Sequence, residues 1–250
     1  MQHNEHVAAL VIEIDSFVAA LRDADLATPV PSCPGWDLAE LTRHQGRVHR
    51  WAEWHVRHLA QERRSSDDLE ITVPDDTAAL ADWLAAGGAQ IVDTLQRCDP
   101  DAVMWAWGAD QHARFWSRRQ VHDTLVHRAD AQLALGAIPA MNPALAIDAI
   151  DELFDNLPSA AYFAPNVANL RGDGETIHLH CTDSDGEWMI RLNADGFSYE
   201  HAHGKGDVAV RGTACDLLLL SYNRYSNTDP RFEIFGDTAV LDRWLTNAAL

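Results

Sequence analysis

The chain is poor in the features that mark several common functions. Lys205 is its only lysine, and none of its four cysteines (Cys33, Cys98, Cys181 and Cys215) forms a Cys-x-x-Cys pair. A cysteine-based zinc knuckle therefore has no support, and in a reducing compartment these thiols are expected to stay free. No apolar run approaches the ~20 residues that a membrane-spanning helix needs. The N-terminal stretch "MQHNEHVAALVIEIDSF" has acidic residues inside its apolar part and lacks the basic start of a signal peptide. A cytoplasmic location is expected. The glycine patterns of dinucleotide sites, phosphate-binding loops and nucleophile elbows are absent, which removes support for nucleotide binding and for α/β-hydrolase chemistry.

What is present is acidity and a normal share of apolar residues. The formal net charge is −19 over 250 residues. Such a surface repels phosphate backbones and anionic membranes, so neither nucleic acid nor membrane is expected as a partner. Hydrophobic residues make up 47%, enough for an ordinary buried core. Monomer and homodimer are both compatible with this composition.

Apolar spacing predicts a helix over residues 5–22, broken by the proline-rich loop "ATPVPSCPGW". A second helix restarts behind Asp37, with Glu40 three residues on in the capping-box pattern, and can run to about residue 62. A third is predicted near 76–97, where Gly87 and Gly88 form a soft spot. A tryptophan-rich loop leads to a fourth, about 113–135, which Gly136 and Pro139 end. Four amphipathic helices over residues 1–139 predict a four-helix bundle. After Pro139 the texture changes. One more helix, about 142–157, precedes four short alternating runs, "TIHLHC", "EWMIRLN", "GFSYEHA" and "DVAVRG", which read as an antiparallel meander. A helix near 213–224, a short strand and a last helix follow. The expected fold is therefore α+β in two domains: a helical bundle over 1–139 and a small α/β domain with an antiparallel sheet over 140–250.

Several side chains could carry chemistry. Asp123 and His127 lie four apart on the fourth helix and so share a face. That spacing suits a surface ion pair or two metal ligands. His44 falls on one stripe of the second helix with Val48, Trp51 and His55, a face expected to point into the bundle. It is either a third ligand or a core histidine bonded to a carbonyl. His49, about 140° around the helix from His44, is expected at the surface or behind the site. His122, about 100° from Asp123, is not expected to join the same site. His178-x-His180 and His201-x-His203 each place two histidines on one strand face. With no further ligand in view, these are expected to be solvated faces.

The segments "VPSCPGWDLAELTRHQGRVHRWA" (30–52) and "RRQVHDTLVHRADA" (118–131) resemble the mycothiol-dependent maleylpyruvate isomerase family, among the DinB-like, zinc-binding helical bundles of actinobacteria. The C-terminal "VRGTACDLLLLSYNR" and "FEIFGDTAVLDRWL" are similar to the family's second, sterol-carrier-like domain. The resemblance implies zinc ligands at His44, Asp123 and His127. The middle ligand is usually glutamate in the family; here it is aspartate, one methylene shorter. It also implies a functional arginine at Arg224, suited to clamp a substrate carboxylate. Three protein ligands leave a coordination position open, which the family gives to a low-molecular-weight thiol, mycothiol. Metal coordination deprotonates a thiol outright, and the thiolate attacks a small electrophile such as maleylpyruvate. Addition to the double bond, rotation and elimination isomerise it. In S-transferase relatives the thiol stays on the product. A zinc hydrolase using water in the open position, or a non-catalytic metal- or ligand-binding protein, is the alternative outcome for such a sequence.

Overall fold

The computed structural model describes residues 1–249. The chain divides into two compact units, Met1–Pro139 and Ala140–Leu250.

The N-terminal unit is built from α1 (His3–Leu21), α2 (Leu38–His58), α3 (Leu80–Arg97) and α4 (Ala113–Ala134). α1 packs on α3 and α4, and α2 packs on the same two helices. Their apolar stripes meet in a core that includes Leu10, Phe17, Leu41, Leu84, Ile91, Trp116, Val121 and Leu125. The second helix starts where its capping signal puts it: Asp37 accepts a 2.8 Å hydrogen bond from the Glu40 backbone N–H. α3 runs unbroken through Gly87 and Gly88. A Cβ on Gly88 would lie 2.8 Å from Ile14 Cγ2, so the soft spot lets α1 pack closely on α3, and tertiary packing overrides low propensity. The tryptophan-rich loop has a structural role. Trp105 and Trp116 both pack on Trp51 and on His55. Between α4 and α1, the buried Arg128 guanidinium donates to Glu13 Oε2 at 2.6 Å.

The C-terminal unit holds α5 (Pro143–Asn156), β1 (Thr176–Cys181), β2 (Glu187–Asn193), β3 (Gly196–Glu200), β4 (Val208–Gly212), α6 (Ala214–Ser221), β5 (Glu233–Gly236) and α7 (Thr238–Asn247). The five strands lie in the order β3-β2-β1-β4-β5. β1, β2 and β3 form the expected meander. β4 does not continue it. It returns to the far side of β1 and pairs with it in parallel, Ile177 opposite Val208 and His180 opposite Arg211, so the sheet is mixed. Alternation of apolar residues is the same in parallel and antiparallel strands, so the four runs could not reveal this step. Ile177, Leu179, Trp188, Ile190, Val208 and Val210 are buried, and α6 and α7 pack against β1 and β4. His178 and His180 therefore belong to the opposite face of β1. Among the described residues, no helix is long and apolar enough to cross a membrane.

Candidate metal centre

α2 and α4 lie side by side in the N-terminal unit and bring three polar side chains together. One ligand atom each from His44, Asp123 and His127 lies within 4.8 Å of the others. The His44 and His127 rings are 5.0 Å apart, nearly perpendicular, and Trp36 from the 30–37 loop covers His44 at 4.9 Å. His122 does not join this group.

Asp123 and His127 are each held from behind. Arg119 donates to Asp123 Oδ1 at 3.1 Å, one helical turn away. Asp123 Oδ2 is buried and has no hydrogen-bond partner among the described residues. His127 Nδ1 lies 2.9 Å from Asp130 Oδ2, which leaves Nε2 for another partner. Asp130 Oδ2 also accepts from the Cys33 thiol at 3.5 Å.

The charges follow from these contacts. Burial, and the neighbouring His127, push His44 down to about 4 against the pull of Asp123, so its imidazole is neutral and has a lone pair to offer. Burial alone would raise Asp123. Arg119, His127 and His44 outweigh it and keep the carboxyl below its ordinary value. Burial also opposes charge on His127, yet hydrogen bonds with Asp130 and Cys33 and the charge of Asp123 raise it to about 9. The Asp123 carboxylate is thus kept ionised beside a neutral His44. A buried, partnerless carboxylate oxygen beside two imidazoles is a donor set that suits zinc or a similar divalent ion.

Two other histidines bear on the expectations. His49 is fully buried, so of its two expected places it takes the one behind the site. Its Nε2 lies 2.9 Å from Thr124 Oγ1, which also accepts from Gln45 Nε2 at 3.2 Å. Burial lowers it to about 4, so it is a neutral part of the polar layer beside Asp123. His178 is buried, so the β1 pair is not a simple solvated face, whereas His201 and His203 are largely exposed, as expected. Sequence reasoning missed Arg119 and Asp130. Their only signal was spacing: Arg119 is four before Asp123, and Asp130 three after His127.

Arg224 lies in the C-terminal unit, just beyond α6. Asn223 takes a left-handed φ of 57° and turns the chain so that Arg224 N–H donates to Leu219 O at 2.7 Å. The half-buried guanidinium donates to Tyr222 O at 2.8 Å.

Comparison with known proteins decides the family. The mycothiol maleylpyruvate isomerase N-terminal domain matches residues 7–132, and the C-terminal domain of the same proteins matches 144–243. The chain belongs to the mycothiol-dependent maleylpyruvate isomerase family. Solved structures with the same fold include a mycothiol-dependent maleylpyruvate isomerase (14% identity, TM-score 0.54) and a histidine-to-alanine mutant under the same name (15%, 0.56). Each comparison covers 91% of both chains. No curated protein matches the chain significantly.

Proposed function

We propose that this protein is a metal- and mycothiol-dependent isomerase or S-transferase acting on a small electrophile of the maleylpyruvate kind, with His44, Asp123 and His127 as the metal ligands. The observation that carries the reading is the convergence of these three ligand atoms within 4.8 Å around a buried Asp123 oxygen that lacks a partner. A divalent ion there would supply Lewis acidity and hold a coordinating thiol as thiolate near neutral pH.

The chain's own residues prepare that chemistry. Arg119 fixes one oxygen of Asp123 and leaves the other for a ligand role. Asp130 occupies His127 Nδ1 and so aims Nε2 away from itself. Burial keeps His44 neutral. Trp36 lies against one side of the His44 ring, 4.9 Å away. In the C-terminal unit, we assign to Arg224 the binding of a substrate carboxylate, for which a planar guanidinium is suited.

The test is a screen of conjugated electrophiles with zinc-loaded protein, with and without mycothiol. Turnover that requires the thiol, and is lost in His44→Ala, is the expected result. Equal turnover without thiol would refute the reading.

A further inference from the structure

A second convergence lies on the sheet of the C-terminal unit. His178 and His180 stand two apart on β1 and so leave the same face. Glu187 is the cross-strand neighbour of His180 in the antiparallel β1–β2 pair. The 201–207 segment leaves β3 and comes back over β1, bringing His203 with it. Oε1 of Glu187 then lies 2.9 Å from His178 Nε2, 2.8 Å from His180 Nδ1 and 2.6 Å from His203 Nδ1.

Three imidazoles on one oxygen is more than a hydrogen-bond account requires. A carboxylate oxygen offers about two lone-pair directions. The four ligand atoms all lie within 4.8 Å of one another. Three imidazole nitrogens and one carboxylate oxygen form a donor set for zinc or a similar borderline ion, not for calcium or magnesium, which take oxygen ligands. Bonds of about 2.0–2.2 Å in a tetrahedral site separate ligand atoms by roughly 3.3 Å. The side chains need only spread by an amount on the order of 1 Å from their present contacts.

The segment that carries His203 is positioned, not loose. Asp207 Oδ2 accepts from both the backbone N–H and the hydroxyl of Thr176 at the start of β1. Gly206 lies against β1 so closely that a Cβ there would be 2.6 Å from Val208 O and 3.0 Å from His178 N. At the other end, His201 Nε2 pairs with Asp151 at 3.1 Å.

We propose that His178, His180, Glu187 and His203 form a second divalent-metal site, independent of the one on α2 and α4. Four protein ligands close the coordination sphere, the pattern of a structural site rather than a catalytic one. Its effect is to clamp the 201–207 segment onto β1.

The test uses the full chain and counts metal after zinc loading and gel filtration. Wild-type protein is expected to hold two zinc ions per chain, His44→Ala one, and His44→Ala combined with His203→Ala none. The His203 side chain is 80% exposed, so its removal does not threaten the core. His203→Ala alone should lower wild type from two to one, which serves if the His44 variant fails to fold. Cobalt(II) in place of zinc in the His44→Ala protein should give the intense visible bands of a tetrahedral ion, and Glu187→Gln should weaken them. The proposal is overturned if His44→Ala holds no metal, or if His203→Ala leaves the count unchanged. A histidine–carboxylate hydrogen-bond cluster alone predicts that second result. Failure of the first site would appear separately, as a His44→Ala protein whose metal content equals that of wild type.

Discussion

Asp130 holds His127: its Oδ2 sits 2.9 Å from the imidazole Nδ1, inside α4, while Cys33 approaches the same oxygen from the 30–37 loop. This contact occupies Nδ1 and leaves Nε2 as the nitrogen we assign to the metal. Partners of this kind typically contribute 10–100-fold to metal affinity. Asp130→Asn should therefore weaken zinc binding at the α2–α4 site by about that factor, with His44, Asp123 and His127 all present. Competition with a chromophoric chelator measures it. Unchanged affinity would show that Asp130 merely packs there.

Arg224 is assigned to the substrate, not to the metal. Arg224→Ala should raise KM for a dicarboxylate electrophile by about 10- to 100-fold, as expected for a lost charged hydrogen bond of roughly 1.5–3 kcal/mol. Zinc content should not change. Arg224→Lys should restore only part, because lysine lacks the planar fork. Steady-state kinetics beside metal analysis separates these outcomes. A kcat loss with constant KM would contradict the assignment.

The Glu13–Arg128 pair joins α1 to α4 in a buried setting. Burial raises the Glu13 carboxyl even with Arg128 against it, so the pair is an expensive arrangement. Glu13→Ala takes the carboxylate from a buried guanidinium, which keeps Gln132 but loses its opposite charge, and should cost about 3–5 kcal/mol. Replacing both residues, Glu13→Leu with Arg128→Met, should cost far less or even stabilise. Urea unfolding of the two variants decides the matter, and a double variant worse than the single one would refute the account.

Glu175 in the C-terminal unit should titrate unusually low. Hydrogen bonds from Arg243 and from nearby backbone N–H groups hold it at about 2, below its ordinary 4.5. A depressed carboxyl stabilises the fold above the unfolded value and loses that contribution as pH falls from about 4.5 toward 2. Arg243→Gln should move the midpoint up toward 4.5, as followed by side-chain carbon NMR. A midpoint that stays near 2 would remove Arg243 as the cause.

Much of the candidate site was legible because helices carry a readable geometry. The i, i+4 spacing of Asp123 and His127 and the stripe of His44 with Val48 and Trp51 selected the residues that converge. Sequence spacing does not specify what stands behind a ligand. Asp130 and Arg119 stand on the same helix as two of the ligands, with only their spacing to mark them, and for His49 the helix angle left both the surface and a place behind the site open. The sheet was less readable. Whether β4 runs beside β3 or returns to β1 depends on the path of residues 201–207, and that path also decides whether His203 meets His178. A pair of histidines on one strand thus gave no hint of Glu187 and His203, which reach it through strand pairing and through a crossing segment.

The most direct test of the central claim is the metal content of the protein purified without chelator, beside that of His44→Ala and Asp123→Ala. The account predicts that each substitution removes one zinc ion per chain and abolishes thiol-dependent turnover. Variants that keep the full wild-type zinc content would contradict it.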